Sequence, residues 1–462
     1  MARVSLVPRP ATHRRWGAYL RYNRNVYLLL LFTLGKGFQL SIGTLTINLY
    51  VYSLGYQSQS VGIVAAMSAI GALIAGVPIG ILADRMGRKP LLLLSGLFTP
   101  VTLVFIAFSS SLPLLIAANL LNGIVASAYW VTNLPLLTES TSEDQRVGAL
   151  ALNNFLLLGV GALGALIGGT VPQAAGQILS LPANSPIPLR CGILAASVVV
   201  LLPALPLFWI REPRRTQHTA DTHSAVAPGV MPEEAGTLAV ASEVTGAREP
   251  VPPEPAGRWA VTRLFAKLLI PDALFTTGEG AVIGLLTIFF VRRFALQPAT
   301  LGELFTVAGL IGGATSLTAP RFVRRWGQLR MATTMQFASV PVILAIGYIP
   351  LLPLVAVAEF MRQILRGLFE PVYAAFALGR VSARHRGTLS GFYSLTCSLG
   401  FSVGPITAGF LMDHTGLSTS FLIGAALVAL SATLLRLFFR QPRVAGSSEQ
   451  MLKLSQAEPV SP

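Results

Sequence analysis

The chain of 462 residues carries a formal net charge of +15, yet only 11% of its residues are charged and 53% are hydrophobic. A soluble domain has about 25% charged residues, and this chain has a mean hydropathy of +0.65, so its composition excludes an ordinary soluble protein. The composition instead indicates an integral membrane protein, and the length leaves room for about twelve spanning helices of ~20 residues with their loops.

Twelve apolar runs predict the spanning helices in chain order. Their approximate bounds are 26–53, 59–82, 90–109, 112–135, 146–170, 190–210, 264–290, 299–319, 331–349, 352–378, 387–412 and 417–438.

The excess basic charge falls in the short connections between these runs. Basic residues in short loops stay on the cytoplasmic side of a membrane. We therefore expect the basic loops and both termini in the cytoplasm, in a multi-pass protein of the cell membrane. Nucleic acid is not an expected partner, because the positive-inside pattern already accounts for the charge.

The stretch between the sixth and seventh runs is rich in Pro, Ala, Glu, Ser and Thr and has no apolar periodicity, which is typical of a disordered linker. It separates two halves of similar size. The predicted organisation is a cytoplasmic tail (1–25), a six-helix half (26–210), a cytoplasmic linker (211–258), a second six-helix half (259–440) and a cytoplasmic tail (441–462).

No cofactor or metal is expected. Cys191 and Cys397 lie in or beside apolar runs without a CxxC spacing, and the ATP-binding motif G-x-x-x-x-G-K-[ST] is absent. All five histidines fall in predicted loops or tails, and H-E-x-x-H does not occur. An enzyme is therefore not indicated.

The most informative stretch, residues 80–90, reads Gly-Ile-Leu-Ala-Asp-Arg-Met-Gly-Arg-Lys-Pro and separates the second and third runs. Glycines permit a tight turn, and the basic residues mark the cytoplasmic face. A carboxylate among these cations is placed to pair with them or to lie at a helix N-terminus, where negative charge is favoured. The residues of interest are Gly80, Asp84, Arg85, Gly87, Arg88 and Lys89.

This stretch resembles the signature loop between helices two and three of the major facilitator superfamily, G-x-L-A-D-R-x-G-R-K. The resemblance implies an all-α membrane protein of twelve transmembrane helices in two six-helix, pseudo-symmetric halves. It also implies a transporter that works by alternating access, which we expect to be a monomer among membrane lipids.

A weak second copy of the loop follows the eighth run, where Ala319–Arg330 ends in Trp-Gly-Gln-Leu-Arg. Aligning Gly327 with Gly87 puts Arg324 in the place of Asp84, so the second copy has lost its carboxylate. In the superfamily each loop faces the start of a helix in the other half.

The second copy therefore predicts a cytoplasmic lock of opposite polarity in the two halves, closed in the outward-open state. Asp84 would meet the basic start of span eleven, while Arg324 and Arg325 would meet Glu143 and Asp144 before span five. The alternative is that all these residues are solvated loop charges, each pair contributing about 0–1 kcal/mol.

Ionisable residues deep in a span are costly and are functional candidates. In span ten, Glu359 begins a stripe of charged and polar residues at helical spacing, and spans one, four and seven carry further polar residues. The resemblance puts these four spans around the central cavity. The substrate-cavity candidates are Lys36, Gln39, Asn122, Asn133, Asp272, Glu359, Arg362, Arg366 and Glu370.

Glu279 is the proton-coupling candidate, because it lies mid-span between two glycines, where a carboxyl can load and release a proton near neutrality. Arg362 and Arg366 are candidates for contacting an anionic group of a substrate or for acting as counter-ions. Lys36 with Glu279, and Arg362 with Glu359, are the expected buried pairs. The alternative is that these pairs are purely structural.

The sequence thus predicts a secondary active transporter that moves a small organic solute, with proton-coupled export as the leading hypothesis. The glycines of span five resemble the motif of drug/proton antiporters, although its Gly-Pro pair is missing, and this favours export. Uptake or facilitated exchange of a polar metabolite, lipid flipping, and a non-transporting receptor or assembly factor are the alternatives. The expected partners are the solute, protons and membrane lipids.

Overall fold

The structure is a computed structural model that describes residues 22–210, 258–316 and 318–439. In the described residues, ten helices are long and apolar enough to cross a membrane by length and composition. Pro298–Ser316 and Leu352–Gly379 supply the two remaining spans of a twelve-helix fold. The second of these contains the charged stripe predicted from the sequence.

The first half contains six spanning helices. The first four are α1 Arg24–Ser53, α2 Ser58–Met86, α3 Arg88–Phe108 and α4 Leu112–Glu139. Helix α5 begins as Glu143–Asn154, continues through a π-helical turn Phe155–Gly159 and a 3-10 turn Val160–Ala162, and ends as Leu163–Leu179. Helix α6 is Pro186–Ala204, followed by a 3-10 turn Leu205–Trp209.

The second half repeats this order. Its helices are α7 Arg258–Ile283 continued by Leu286–Phe294, α8 Pro298–Ser316 followed by the short helix Ala319–Trp326, α9 Gln328–Tyr348, α10 Leu352–Gly379, α11 Ala383–His414 and α12 Thr419–Phe439.

Most of the signature stretch is helical, which corrects the expectation of a turn over residues 80–90. Gly80 and Asp84 belong to the last turns of α2, α3 begins at Arg88, and Gly87 alone separates the two helices. Gly87 has φ 91° and its second-half counterpart Gly327 has φ 76°. Both angles lie where residues with a Cβ are disfavoured, so the same one-glycine connection occurs in both halves.

The two halves meet along two helix pairs, α2 with α11 and α5 with α8. Cβ atoms added to Gly62 and Gly409 would each fall against the backbone of the opposite helix, at Pro405 and Ser58 respectively. Gly62 faces Pro405, whereas Ser58, earlier in α2, faces Gly409, later in α11. The two helices therefore run antiparallel. Small residues permit this backbone contact, as is common between membrane helices.

The predicted linker and tails lie almost wholly outside the described residues. The exceptions are residues 22–25 and Arg258, where α1 and α7 begin. Large apolar side chains such as Phe98, Val198 and Leu202 are exposed on the outer surface, where a membrane protein contacts lipid tails.

Candidate transport site

A cavity of about 500 Å³ lies between the halves. Its wall combines many apolar side chains with polar groups from α1, α5 and α10. The residues that define its extent include Ser41 and Leu45 of α1, Asn154, Phe155 and Leu158 of α5, Ile283 and Leu286 of α7, Gly309 and Ser316 of α8, and Glu359, Arg362, Gln363, Arg366 and Glu370 of α10.

The cavity begins near the middle of the bundle and extends toward the end that carries the Asp84–Lys89 loop, called here the signature end. Leu45 and Thr287 lie at its inner limit, whereas Asn154 and Ser316 lie on parts of α5 and α8 closer to the signature end. The opposite end carries Asp413 at the end of α11 and is called the Asp413 end.

Contacts between the halves join them at the Asp413 end. Arg292 of α7 donates to Ser58 Oγ over 2.8 Å and to Asp413 Oδ1 over 3.1 Å. Asp413 Oδ2 accepts from the backbone N–H of Gln59 over 2.7 Å, in the first turn of α2. Asn48 Nδ2 donates to the Gly284 carbonyl over 3.1 Å. The contacts of Arg292 and Asp413 join the two halves beyond the cavity's inner limit, and the Asn48–Gly284 bond joins them beside it.

The π-helical turn Phe155–Gly159 interrupts α5 at the cavity wall. π-helical turns are rare and are often found at functional sites. Next to the turn, Gly159 and Gly313 approach closely, since a Cβ on Gly313 would lie 2.8 Å from the Gly159 Cα. The turn therefore falls where α5 packs against α8 across the interface.

Arg362 is almost completely buried and is shared by two carboxylates. Its Nε and Nη2 donate to Glu359 over 2.8 and 2.7 Å, and its Nη1 donates to Glu279 of α7 over 2.7 Å. The Arg362–Glu359 pair agrees with the prediction. The expected Lys36–Glu279 pair is wrong, because Glu279 contacts Arg362 instead.

A second pair follows one turn along α10, where Arg366 Nε donates to Glu370 Oε1 over 2.6 Å. The Arg366 guanidinium also lies 5.9 Å from the ring centroid of Phe401. Together, Glu279, Glu359 and Glu370 place three carboxylates beside two guanidinium groups. When all five are ionised, this cluster, called here the α10 cluster, has a net charge of −1.

Glu359, Arg362, Arg366 and Glu370 lie in the cavity wall, and their part in transport stays a prediction. Glu279 instead borders a much smaller space of about 10 Å³ between α7, α10 and α11. The remaining five cavity candidates do not belong to the wall of the large cavity in this structure, which corrects their expected placement. Their part in transport stays a prediction.

Lys36 points into the first half, where its Nζ donates to Thr99 Oγ1 of α3 over 3.3 Å and lies 5.9 Å from the Tyr129 ring centroid. Gln39 is buried nearby in α1, and its Oε1 has no hydrogen-bond partner among the described residues. The polar face of α1 thus faces α3 and α4.

Asn122 and Asn133 join α4 to its neighbours. Asn122 Oδ1 accepts from Thr102 Oγ1 over 2.9 Å, and Asn133 Nδ2 donates to Asn153 Oδ1 of α5 over 3.1 Å. Thr33 Oγ1 also donates to Asn153 Oδ1, over 2.7 Å. These hydrogen bonds join buried polar groups inside the first half, although Asn133 Oδ1 has no hydrogen-bond partner among the described residues.

Asp272 is buried inside the second half, between α7 and α11. Its Oδ2 accepts a hydrogen bond from Thr396 Oγ1 over 2.7 Å. Sequence reasoning missed Thr396, Thr99 and Asn153, because a threonine or asparagine among many in apolar runs gives no signal of its partner. It likewise gave Asp413 no role.

The signature loop makes contacts within the first half. Arg88 pairs with Glu139 at the end of α4 over 2.5 Å, and Lys89 Nζ donates to the Phe208 carbonyl over 2.9 Å. Asp84, Arg85 and Arg325 are exposed. The side chains of Arg324, Glu143 and Asp144 lie outside the described part of the chain, so the lock stays a prediction.

The two antiparallel contact pairs, the cavity between the halves and the buried charges on its wall define a multi-pass membrane transporter of twelve helices. The chain belongs to the Major Facilitator Superfamily, whose family model matches residues 27–276 and 268–458. Membership of this superfamily identifies a transporter rather than an enzyme.

Several relatives are multidrug transporters. The chain is 22% identical to multidrug resistance protein 1 of Bacillus subtilis over 84% of this chain and 90% of the relative. It is 24% identical to multidrug resistance protein MdtG of Escherichia coli over 89% and 94%. It is 31% identical to the class B tetracycline resistance protein of Escherichia coli, where the match spans 36% of this chain and only 38% of the relative.

Solved structures share the fold. A bacterial homologue of the human lysosomal transporter Spinster, in an inward-facing and occupied conformation, matches with a TM-score of 0.69 at 16% identity, over 90% of this chain and 96% of that chain. The nucleoside transporter NupG matches with a TM-score of 0.62 at 16% identity, over 91% and 100%. At this identity the likeness establishes the fold alone.

Proposed function

We propose that this protein is a secondary active transporter that exports a small organic solute in exchange for protons. The cavity between the halves is the observation that carries this proposal. Contacts between the halves close the cavity at the Asp413 end, and the cavity extends toward the signature end. Its wall carries ionisable groups. Alternating access to a polar centre requires such an arrangement.

The signature end is assigned to the cytoplasm, because its loops are basic. With this orientation the described conformation faces inward, and the Asp413 end is the closed outer gate. Export from this state would begin when a cytoplasmic solute enters the cavity between α1, α5, α8 and α10.

The composition of the cavity wall supports a solute with both apolar and polar parts. Apolar residues such as Leu158 and Leu286 offer contact area, while the α10 cluster offers charge. The names of the multidrug resistance relatives support export over uptake. The polar groups orient the solute and the apolar wall supplies most of the buried area.

Transport by the purified chain in liposomes tests the proposal. Tetracycline and ethidium serve as probe solutes, and a lumen made acidic relative to the outside supplies the driving force for exchange. We expect probe accumulation that a protonophore abolishes and that empty liposomes lack. Probe accumulation that does not depend on the pH gradient would contradict proton coupling. If no solute in a wider panel moved across the membrane, the result would contradict transport.

A further inference from the structure

We propose that Asp272 is the carboxyl that binds and releases the coupled proton, and that the proton reaches it from the central cavity through the small space beside Glu370. This inference rests on the proposed proton-coupled transport, and it replaces Glu279 in the role predicted from the sequence.

The partners of the two carboxyls differ in charge. Glu279 accepts a charge-assisted hydrogen bond from the buried guanidinium of Arg362 over 2.7 Å, and such a contact stabilises the ionised carboxylate. Asp272 is equally buried, with 2% of its surface exposed, but its hydrogen bonds come from the neutral hydroxyls of Thr396 and Tyr393.

The groups that face Asp272 from neighbouring helices are acidic or neutral. From α10 they are Glu370 and Tyr373, and from α11 they are Tyr393 and Thr396. From α12, Ser431 donates to the Pro271 carbonyl rather than to Asp272. Among the described side chains, no basic group lies within salt-bridge distance of Asp272. A buried charge without a counter-ion is costly, so binding a proton relieves that cost.

A polar route connects this site to the cavity. Glu370 and Arg366 belong to the walls of both the large cavity and the 10 Å³ space. Tyr393 and Thr276 border the same small space on the side of Asp272. A space of this size accommodates about one water molecule, which is enough to join Glu370 to the hydroxyl groups around Asp272.

The step involves protons only. A hydronium ion in the large cavity gives up a proton by breaking one of its O–H bonds. The proton passes along water in the small space beside Glu370, and a new O–H bond forms at a carboxylate oxygen of Asp272. Thr396 can then rotate its hydroxyl hydrogen away and accept from the neutral carboxyl. When the opposite side of the protein is open, that O–H bond breaks and the proton leaves, which restores the carboxylate.

Infrared difference spectroscopy tests this assignment without knowledge of the solute. Spectra of the purified full-length chain at mildly acidic and mildly alkaline pH reveal carboxyl groups by the C=O stretch of their protonated form. We expect a titrating carboxyl band that disappears in Asp272→Asn and persists in Glu279→Gln. Survival of the band in Asp272→Asn, or its loss in both variants, would overturn the assignment.

Thr396→Val is a milder variant that keeps the carboxyl but removes its hydroxyl donor. We expect the band to remain and the midpoint of its titration to move. The matched control is Thr277→Val, because the Thr277 hydroxyl donates to the Ala273 carbonyl over 2.7 Å and not to Asp272. Equal midpoints for both threonine variants and the unaltered chain would contradict the proposed contact.

The outcomes separate this inference from the proposed function. A chain that moves no solute, yet loses the band in Asp272→Asn, would contradict transport and leave the proton site standing. A chain with gradient-driven transport that keeps the band in Asp272→Asn would retain the proposed function and lose only this residue assignment.

Discussion

The Asp413 carboxylate, in the last turn of α11, accepts a hydrogen bond from the backbone N–H of Gln59, in the first turn of α2, over 2.7 Å. The two residues belong to opposite halves. Asp413 of the second half therefore caps the first turn of a helix in the first half. Separation of the halves at this end would break the cap.

Removal of this cap should open the Asp413 end. Loss of a helix N-cap costs about 1 kcal/mol, so Asp413→Ala should shift the ratio of open to closed states by about fivefold. Spin labels at Tyr56 and Thr415, after replacement of both native cysteines, would report the separation of the halves. Arg293→Ala is the control, since Arg293 donates to the Tyr348 carbonyl within its own half. Identical distance distributions for the two variants would refute the prediction.

A side chain at Gly62 should also disfavour closure. The added Cβ would meet the Pro405 carbonyl, which is backbone and cannot rotate away. We expect Gly62→Ala to open the same end in the spin-label measurement. Gly43→Ala is the matched control, because its Cβ would find its nearest atoms at 3.7 Å. The prediction fails if both alanine variants leave the halves equally close.

Arg362 should be essential for stability while Glu279 and Glu359, the two carboxylates that pair with it, are present. Breaking a buried ion pair by removing one partner costs about 3–5 kcal/mol, so Arg362→Met should lower the apparent Tm strongly in detergent. Adding Glu279→Gln and Glu359→Gln should recover most of the loss, because no uncompensated charge then remains at the triad. Arg330→Met, at an exposed position, should leave Tm unchanged. A triple variant as unstable as the single one would contradict this account.

The cytoplasmic lock predicts an interaction between two oppositely charged residues. Arg324→Glu and Glu143→Arg should each reduce gradient-driven transport of a probe solute, and the double variant should recover part of the loss. Surface pairs contribute about 0–1 kcal/mol, so reductions of a few fold are expected. A double variant no better than the singles would exclude the lock.

Filling the cavity should block transport without unfolding the protein. Ser41 lies in the wall of the cavity of about 500 Å³, and Ser41→Trp would add a bulky indole there that narrows the path of a solute. Val198→Trp, on the outer surface with Val198 53% exposed, should transport normally. Normal transport by Ser41→Trp would show that the solute follows another path.

The sequence was sufficient to predict twelve spans, two halves and the superfamily, because apolar runs and the signature loop are local patterns. It also predicted that the charged residues of α10 share one face, since a regular helical period fixes which residues share a face. The resemblance to the superfamily put that face at the cavity. The pairing of Arg362 with Glu359 followed for the same reason, as the two lie three residues apart on one helix.

Contacts between distant helices were not predictable in this way. Lys36 could have faced any of several carboxylates, and only the packing of the first half shows that it lies beside Thr99. Asp413 follows an ordinary apolar run, and nothing in its neighbourhood indicates Gln59. The π-helical turn of α5 has no sequence signature either, since Phe155–Gly159 is compatible with a regular helix.

The antiparallel course of α2 and α11 puts Asp413 beside the first residues of α2, and it puts Asp84 at the end of the bundle where α11 begins. Each helix thus has an acidic residue close to its own C-terminus. Asp413 lies beside the first turn of α2, and Asp84 is the residue that the predicted lock would bring to the first turn of α11. If opening one gate costs a cap while closing the other forms one, the inward and outward states differ little in free energy. Binding of a single solute molecule or proton is then sufficient to determine which state predominates.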